Sequence, residues 1–387
     1  MLNLVLKTLL VLVGLAAVLA IAIWLYLQQA QFADPKVDTE RLSGEDSATG
    51  TTRYRDGKFE NLETTEVMVE QPQDPAQPRS QSGLFRTLYK FLFEEIPGAV
   101  PAEPLPSVKT DLASLDRNDN LVVWMGHSSY YIQLDGKRIL IDPVFSSYAS
   151  PVPGTNVAFK GSNIYTADDI PELDFLLISH DHWDHLDYPT IKGLENKVKQ
   201  VVAPLGVGSY FTQWGWPKEK VFEGEWGSVF DDNNGMQVHI LPSRHFSGRL
   251  LDRNRTLWAS FALITPQHRY YLSGDTGYGE HFRNIGEALG PFDLAVLECG
   301  QYNVQWANIH MMPEQTAQAG VDLQAKAVIA AHNSKFKLAY HPWKEPLDRV
   351  SKASEGKPYR LLTPLIGERV DTDNPSQTFG KWWVNTK

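Results

Sequence analysis

Between positions 9 and 27 the chain reads LLVLVGLAAVLAIAIWLYL, without one charged side chain. About 20 apolar residues let an α-helix cross the hydrocarbon core of a bilayer, so this run predicts a transmembrane anchor over residues 1–30. Trp24 and Tyr26 stand at its end, where amphipathic rings favour the headgroup level. A cleaved signal would have a shorter apolar stretch followed by small residues two apart. Here Ala30 and Ala33 have the wrong spacing. The pattern then turns polar over 31–83, ending in QPQDPAQPRSQSG, a composition too poor in apolar side chains to repay ordering. That predicts a tether. In GLFRTLYKFLFEEIPG the apolar residues Leu84, Leu88, Phe91 and Leu92 recur at helical spacing. They predict an arm, 84–118, packed on the following domain, the other reading being a helix lying on the membrane.

From 119 onward short apolar runs follow one another at close intervals. LVVWMG, LDFLLIS, QVVAP, MQVHILP, WASFALIT, RYYLSGD, DLAVLECG and KAVIAAH each predict a strand, LDFLLIS as a continuous apolar run of the kind a buried strand shows. In YYIQLDGKRILIDPVF two strands flank Asp135-Gly136, a strong hairpin signal. Helical patterns fall between them at 188–196, 207–214, 280–289 and 313–323, the last with Pro313 in its first turn. Strands mixed with helices predict an α/β domain, 119–387, with two packed sheets and helices outside.

Charge and cysteine usage narrow the chemistry. A formal charge of −10 argues against a nucleic-acid partner, which needs a basic face. Cys299 is the single cysteine, so a metal site must draw on His and carboxylate. The stretch ISHDHWDHLD, 178–187, concentrates those groups at the end of a predicted strand. His180 and His182 are two apart and point the same way in extended chain. Asp184 and His185 diverge from them as the chain turns, so one ion could hardly take all four, whereas two could. A catalytic zinc site uses about three protein ligands and an open position, so more ligands are needed from other strand ends. His245, Asp275 and His332 each follow an apolar run. Singly, each reads more readily as an ordinary loop residue; together they complete the set.

SHDHWDHLD, with the later His, Asp and His in that order, resembles the H-x-H-x-D-H signature of the metallo-β-lactamase superfamily, over about 121–367. Within it, WMGHSSYYIQLDGKRILIDPVFS, LSGDTGYG, GPFDLAVLECG and IHMMPEQTAQAGVDLQAKAVIAAH are most similar to the N-acylphosphatidylethanolamine phospholipase D branch and its bacterial relatives. The resemblance implies a four-layer αββα sandwich; the N-terminal transmembrane helix and the tether lie outside the resemblance. It implies two Zn²⁺, with iron or manganese able to use the same ligands. His180, His182 and His245 would hold one ion, Asp184, His185 and His332 the other, and Asp275 both. A hydroxide held between the two ions would be the nucleophile, with Asp184 orienting it.

The leading function is a membrane-anchored binuclear zinc hydrolase, a phosphodiesterase of phospholipase D type acting on a lipid such as an N-acylphosphatidylethanolamine. The runner-up is a lactone, carboxylic ester or β-lactam hydrolase. A binding protein with a degenerate site is disfavoured because all seven ligand positions are filled. An RNA nuclease is disfavoured by the acidic balance and the anchor. The bacterial relatives point to an inner membrane; Lys7 before the helix nearly balances Lys36 and Arg41 after it, which leaves the side open, and the short tail carrying Lys7 mildly favours the domain on the periplasmic side.

Other residues carry weaker expectations. His310 either serves the reaction as a phosphate binder or proton donor, or caps the helix after it. His127 is expected to support the site rather than touch substrate, and His239 to be structural. Asp187 could brace a ligand His, Asp142 form a turn, and Tyr278 and Trp306 either line the pocket or pack.

Overall fold

The computed structural model describes residues 2–37, 52–69, 96–249 and 252–387. Helix α1 (Leu2–Leu27) carries the apolar run and stands away from the rest, its side chains exposed along the stretch from Val5. It is long and apolar enough to cross a membrane, as its sequence predicts.

After a small hairpin, β1 (Arg53–Arg55) and β2 (Lys58–Glu60), the domain is built from two sheets of seven strands. The first takes β3 (Leu121–Trp124), β4 (Tyr130–Leu134), β5 (Lys137–Ile141), β6 (Leu173–Leu177), β7 (Val198–Pro204) and β8 (Val221–Gly224). The second takes β9 (Val229–Asp231), β10 (Gln237–Leu241), β11 (Ser260–Ile264), β12 (Arg269–Leu272), β13 (Leu294–Glu298), β14 (Ala327–Ala331) and β15 (Arg360–Leu362). Strand β16 (Arg369–Asp371) then returns to pair with β3 in the first sheet. Period-two alternation decides which core each side chain joins. Ile139 and Ile141 of β5 face the second sheet, where they meet the cluster that holds Val238, Phe261 and Ile329. Leu140 between them faces outward. Both faces are thus buried, which is why the strands read as unbroken apolar runs.

Helices α2 (Tyr188–Leu194) and α3 (Gly208–Gln213) cover the outer face of the first sheet through Ile191, Leu194, Tyr210 and Phe211. Helices α4 (His281–Leu289) and α5 (Pro313–Asp322) cover the second through Phe282, Ile285 and Ala319. The result is the expected αββα sandwich. One further helix, α6 (Glu345–Ala353), was not foreseen: its EPLDRVSKA buries few apolar side chains, Leu347 and Val350 among them. Strands β9, β15 and β16 are three residues each, too short for alternation to show.

The expectation of a tether over 31–83 needs correction in its described parts. Residues 30–37 lie along α3: Trp214 Nε1 donates to Ala30 O at 2.7 Å, and Lys36 N to Ser209 Oγ at 2.9 Å. Residues 52–69 strap the second sheet, with Phe59 fully buried in the central core. Few but well-placed apolar residues suffice to dock a polar segment when side chains such as Asn61 also satisfy backbone groups on the domain. In the arm, 84–95 lies outside the described residues, while 96–118 packs on the domain with Leu105 and Leu112 buried.

Candidate metal centre

Strands β5 and β6 are parallel, as are β12, β13 and β14. Parallel strands deliver their carboxyl ends to one edge, and the loops leaving those ends bring remote residues together. His180, His182, Asp184 and His185 follow β6; Asp275 follows β12 and His332 follows β14. His245 follows β10, which runs antiparallel to β11 as β12 does. The close approach of the β13 and β14 ends needs a glycine: a Cβ on Gly300 would fall 1.5 Å from the His332 carbonyl oxygen.

The seven side chains come together at the ends of these strands. His180, His182, His245 and Asp275 form one group whose donor atoms lie within 4.8 Å of one another. Asp184, His185, His332 and His127 form a second, and Asp275, His310 and His332 a third. Asp275 Oδ2 is 3.8 Å from Nε2 of both His180 and His245, and 3.2 Å from His185 Nε2. Its carboxylate therefore sits between the first two groups. Asp275 Oδ1 and His185 Nε2 are buried without a hydrogen-bond partner, and three imidazole nitrogens, of His180, His182 and His245, face one another at the first group. Nitrogen lone pairs and a carboxylate converging in a buried site suit divalent cations, which His and carboxylate ligate.

The outward nitrogens are braced. His185 Nδ1 is 2.8 Å from Asp142 Oδ2, and Asp142 also accepts from Ser179 N and Ser179 Oγ. Ser179 Oγ lies 3.0 Å from His180 Nδ1. His245 Nδ1 donates to Ile309 O at 2.9 Å; His332 Nδ1, by contrast, faces inward, 3.1 Å from Asp275 Oδ1, and is also 2.9 Å from Ser128 Oγ. Such outer partners set tautomer and ring orientation at metal sites. Asn61, from the 52–69 strap, grips the His245 backbone by donating to its carbonyl at 2.7 Å and accepting from its N–H at 3.1 Å. His127 Nε2 is 2.8 Å from Asp184 Oδ2.

Burial sets the protonation states. It pushes His182 down to about 3 and His127 down to about 4, and holds His180, His245 and His332 well below the usual imidazole range. These rings are neutral and ready to ligate. Burial pushes the Asp275 carboxyl up to about 7 against the pull of His185. Burial also opposes charge on His185, but Asp275, Asp184 and Asp142 outweigh it and raise its pKa well above the usual value.

The groups floor a cavity of about 430 Å³. Val67, Met68, Phe246, Trp306, Leu338 and Tyr340 give it apolar walls. Arg253 also lines it, its guanidinium 5.0 Å from the Phe246 ring centre.

Among the weaker expectations, His310 lines this cavity, and its Nδ1 is bonded to Glu298 Oε1. Glu298 is fully buried and accepts from Thr276 N at 2.6 Å. Trp306 lines the cavity, whereas Tyr278 points away and bonds Asp322. Asp187 braces no histidine: it accepts from Ser146 and Thr190, tying the loop after β5 to α2. His239 lies within β10, half-buried. Sequence reasoning missed Glu298, whose signal was a charged residue closing the apolar run LAVLE. It also gave Asp142 too small a part.

An αββα sandwich with His/Asp clusters able to bind metal at the ends of its strands defines a metal-dependent hydrolase. Residues 137–333 match the model of the beta-lactamase superfamily domain, and the chain belongs to that family. An uncharacterised protein of Mycobacterium tuberculosis is 36% identical, over 85% of this chain and 87% of its own length. The N-acyl-phosphatidylethanolamine-hydrolyzing phospholipase D 1 of Caenorhabditis elegans is 31% identical, over 60% of this chain and 69% of its own. In structure, the metallo hydrolase Igni18 of Ignicoccus hospitalis superposes with a TM-score of 0.51 at 20% identity, over 65% of this chain and 97% of that one.

Proposed function

We propose that the chain is a membrane-anchored binuclear metal hydrolase that cleaves a lipid phosphodiester in the manner of a phospholipase D, with an N-acylphosphatidylethanolamine as the type of substrate. The observation that carries this reading is the place of Asp275: one carboxylate lies between two donor groups on the floor of a cavity whose described lining residues include apolar walls and Arg253. The likeness to the C. elegans phospholipase supports the substrate class.

His180, His182 and His245 would hold one ion and Asp184, His185 and His332 the other, with Asp275 serving both; zinc is the expected metal, and iron or manganese would use the same donors. Bound there, the ions supply Lewis-acid activation of water and of the phosphoryl oxygens. The protein's own groups do the rest. The neutral rings of His180 and His245, held by Ser179 and the Ile309 carbonyl, keep their lone pairs directed inward, while Asp142 orients His185 and Ser128 holds His332. Arg253 pairs with the negative phosphodiester. The apolar walls take the acyl chains and exclude water. Water adds to phosphorus, and the bond from phosphorus to the alcohol oxygen breaks. His310, held at Nδ1 by Glu298, passes a proton from its free nitrogen to the departing alkoxide and is reprotonated by the proton the attacking water gives up, the water's other proton staying on the phosphate. The products are a phosphomonoester and an alcohol. Helix α1 retains the enzyme beside its substrate, with the domain on the periplasmic side of an inner membrane.

The test is elemental analysis of the purified full chain, with parallel assays on N-acylphosphatidylethanolamine and on a lactone. Two ions per chain and phosphodiester turnover, lost in Asp275→Ala, is the expected result. Turnover of the lactone alone would move the enzyme to ester hydrolysis.

A further inference from the structure

The end of α1 is fixed to the domain at a definite place. Tyr26, in its last turn, donates its hydroxyl to the carbonyl of Pro151 at 2.6 Å. The Tyr26 ring packs edge-on against Phe32, centres 5.1 Å apart, and Phe32 against Trp183 at 5.3 Å. Trp183 lies between His182 and Asp184 of the candidate metal centre. A tyrosine in the last turn of a membrane span sits at headgroup level, so the loop that binds its hydroxyl sits there too.

That loop is apolar where water would ordinarily face it. Val152, the neighbour of Pro151, is 56% exposed, and Val157 is 53% exposed. Val157 and Val100, itself 55% exposed, line a groove of about 640 Å³. This groove shares Leu338 and Tyr340 with the cavity over the metal centre. Lys160 and Lys337 also line it, and no carboxylate does among the described lining residues. On a chain of net charge −10, such a basic, apolar strip is out of keeping with the rest. It matches the boundary between acyl chains and anionic headgroups, where lysines gain from the negative surface potential and apolar side chains are buried.

We infer that this face, formed by Val152, Val157, Val100, Lys160 and Lys337, is a second membrane contact: it beds into the anionic surface of the bilayer that α1 crosses. The bilayer then covers the groove, and a lipid passes along it to the metal centre without crossing water. The inference rests on reading α1 as an anchor.

The test uses the full chain in phosphatidylcholine–phosphatidylglycerol nanodiscs, with spin labels on single introduced cysteines. Cys299 is the chain's own cysteine and is buried, so it stays unlabelled. Labels at Val152→Cys and Val157→Cys are expected to relax several-fold more with oxygen than with a water-soluble nickel chelate, as will Leu15→Cys within α1. Asn234→Cys, in the exposed β9–β10 turn at the opposite edge of the sheet, is expected to show the reverse. If Val152→Cys and Val157→Cys behave like Asn234→Cys while Leu15→Cys remains in lipid, the second contact is overturned and the anchor stands. If Leu15→Cys is itself in water, the anchor reading falls and the inference with it.

Discussion

The carboxylate of Asp142 lies 2.8 Å from Nδ1 of His185 while accepting two further hydrogen bonds from Ser179. One residue at the end of β5 thereby positions His185 directly and His180 through the Ser179 hydroxyl. Asp142 holds a left-handed backbone at φ 43°, a conformation that asparagine also tolerates. Asp142→Asn should therefore fold normally but lose the charge that orients His185. Metal affinity is expected to fall about 10–100-fold, as for other outer-shell losses, measured by competition with a chelator. Unchanged affinity would reduce Asp142 to a turn former.

His310 and Glu298 form a second such pair, this one aimed at substrate. His310→Ala is expected to lower kcat by about 10²–10⁴-fold, the range for a lost general acid. Glu298→Gln preserves shape and should lower kcat less while moving the pH profile of the reaction. Metal content should stay at the wild-type level in Glu298→Gln. A loss of metal together with activity would instead make this pair structural.

Arg253 brings a positive charge to the cavity wall, and its contribution should depend on substrate charge. Arg253→Ala is expected to raise KM for a phosphodiester by about 10–100-fold, as for a lost hydrogen bond to a charged group. A neutral lactone or ester should be unaffected. An equal loss on both would mean that Arg253 shapes the cavity rather than reads charge.

Asn61 reaches the His245 backbone from a segment 184 positions away. Asn61→Ala leaves a buried N–H and carbonyl without partners, at a cost of about 1–3 kcal/mol. Weaker metal retention than wild type, at unchanged secondary structure by circular dichroism, is the expected outcome. Wild-type retention would show that the strap is dispensable for His245.

Lys335 is fully buried and donates to the carbonyls of Val144 at 2.7 Å and Met125 at 3.3 Å. Burial brings its pKa from 10.5 down to about 7. Between those values the unfolded chain binds one more proton than the folded one, so stability rises with pH across that window and the penalty is full below it. Lys335→Met removes the titrating group. The wild-type melting temperature should rise relative to that of Lys335→Met between about pH 7 and 10; parallel curves would place the folded pKa of Lys335 near its ordinary value.

Much of this was legible along the chain, wherever the signal is local. The apolar run of α1, the two-sided strands and the dense HDHWDH stretch after β6 depend on neighbours a few positions apart. Strand periodicity and strand ends can be read from such spacing. So two packed sheets with helices outside and the seven metal-binding candidates follow from spacing, and the four-layer αββα class from the resemblance those motifs carry. Pairings across long separations do not. Asp142 with His185, Glu298 with His310, Asn61 with His245 and Tyr26 with Pro151 join residues whose nearness exists only once two sheets have packed and parallel strand ends share an edge. A polar segment such as 52–69 shows no periodicity, because its docking rests on a few side chains meeting a surface that the rest of the chain must first build. Local spacing determined which residues can carry the chemistry; tertiary packing decided which groups hold them in place and which face of the molecule meets the membrane in the arrangement proposed above.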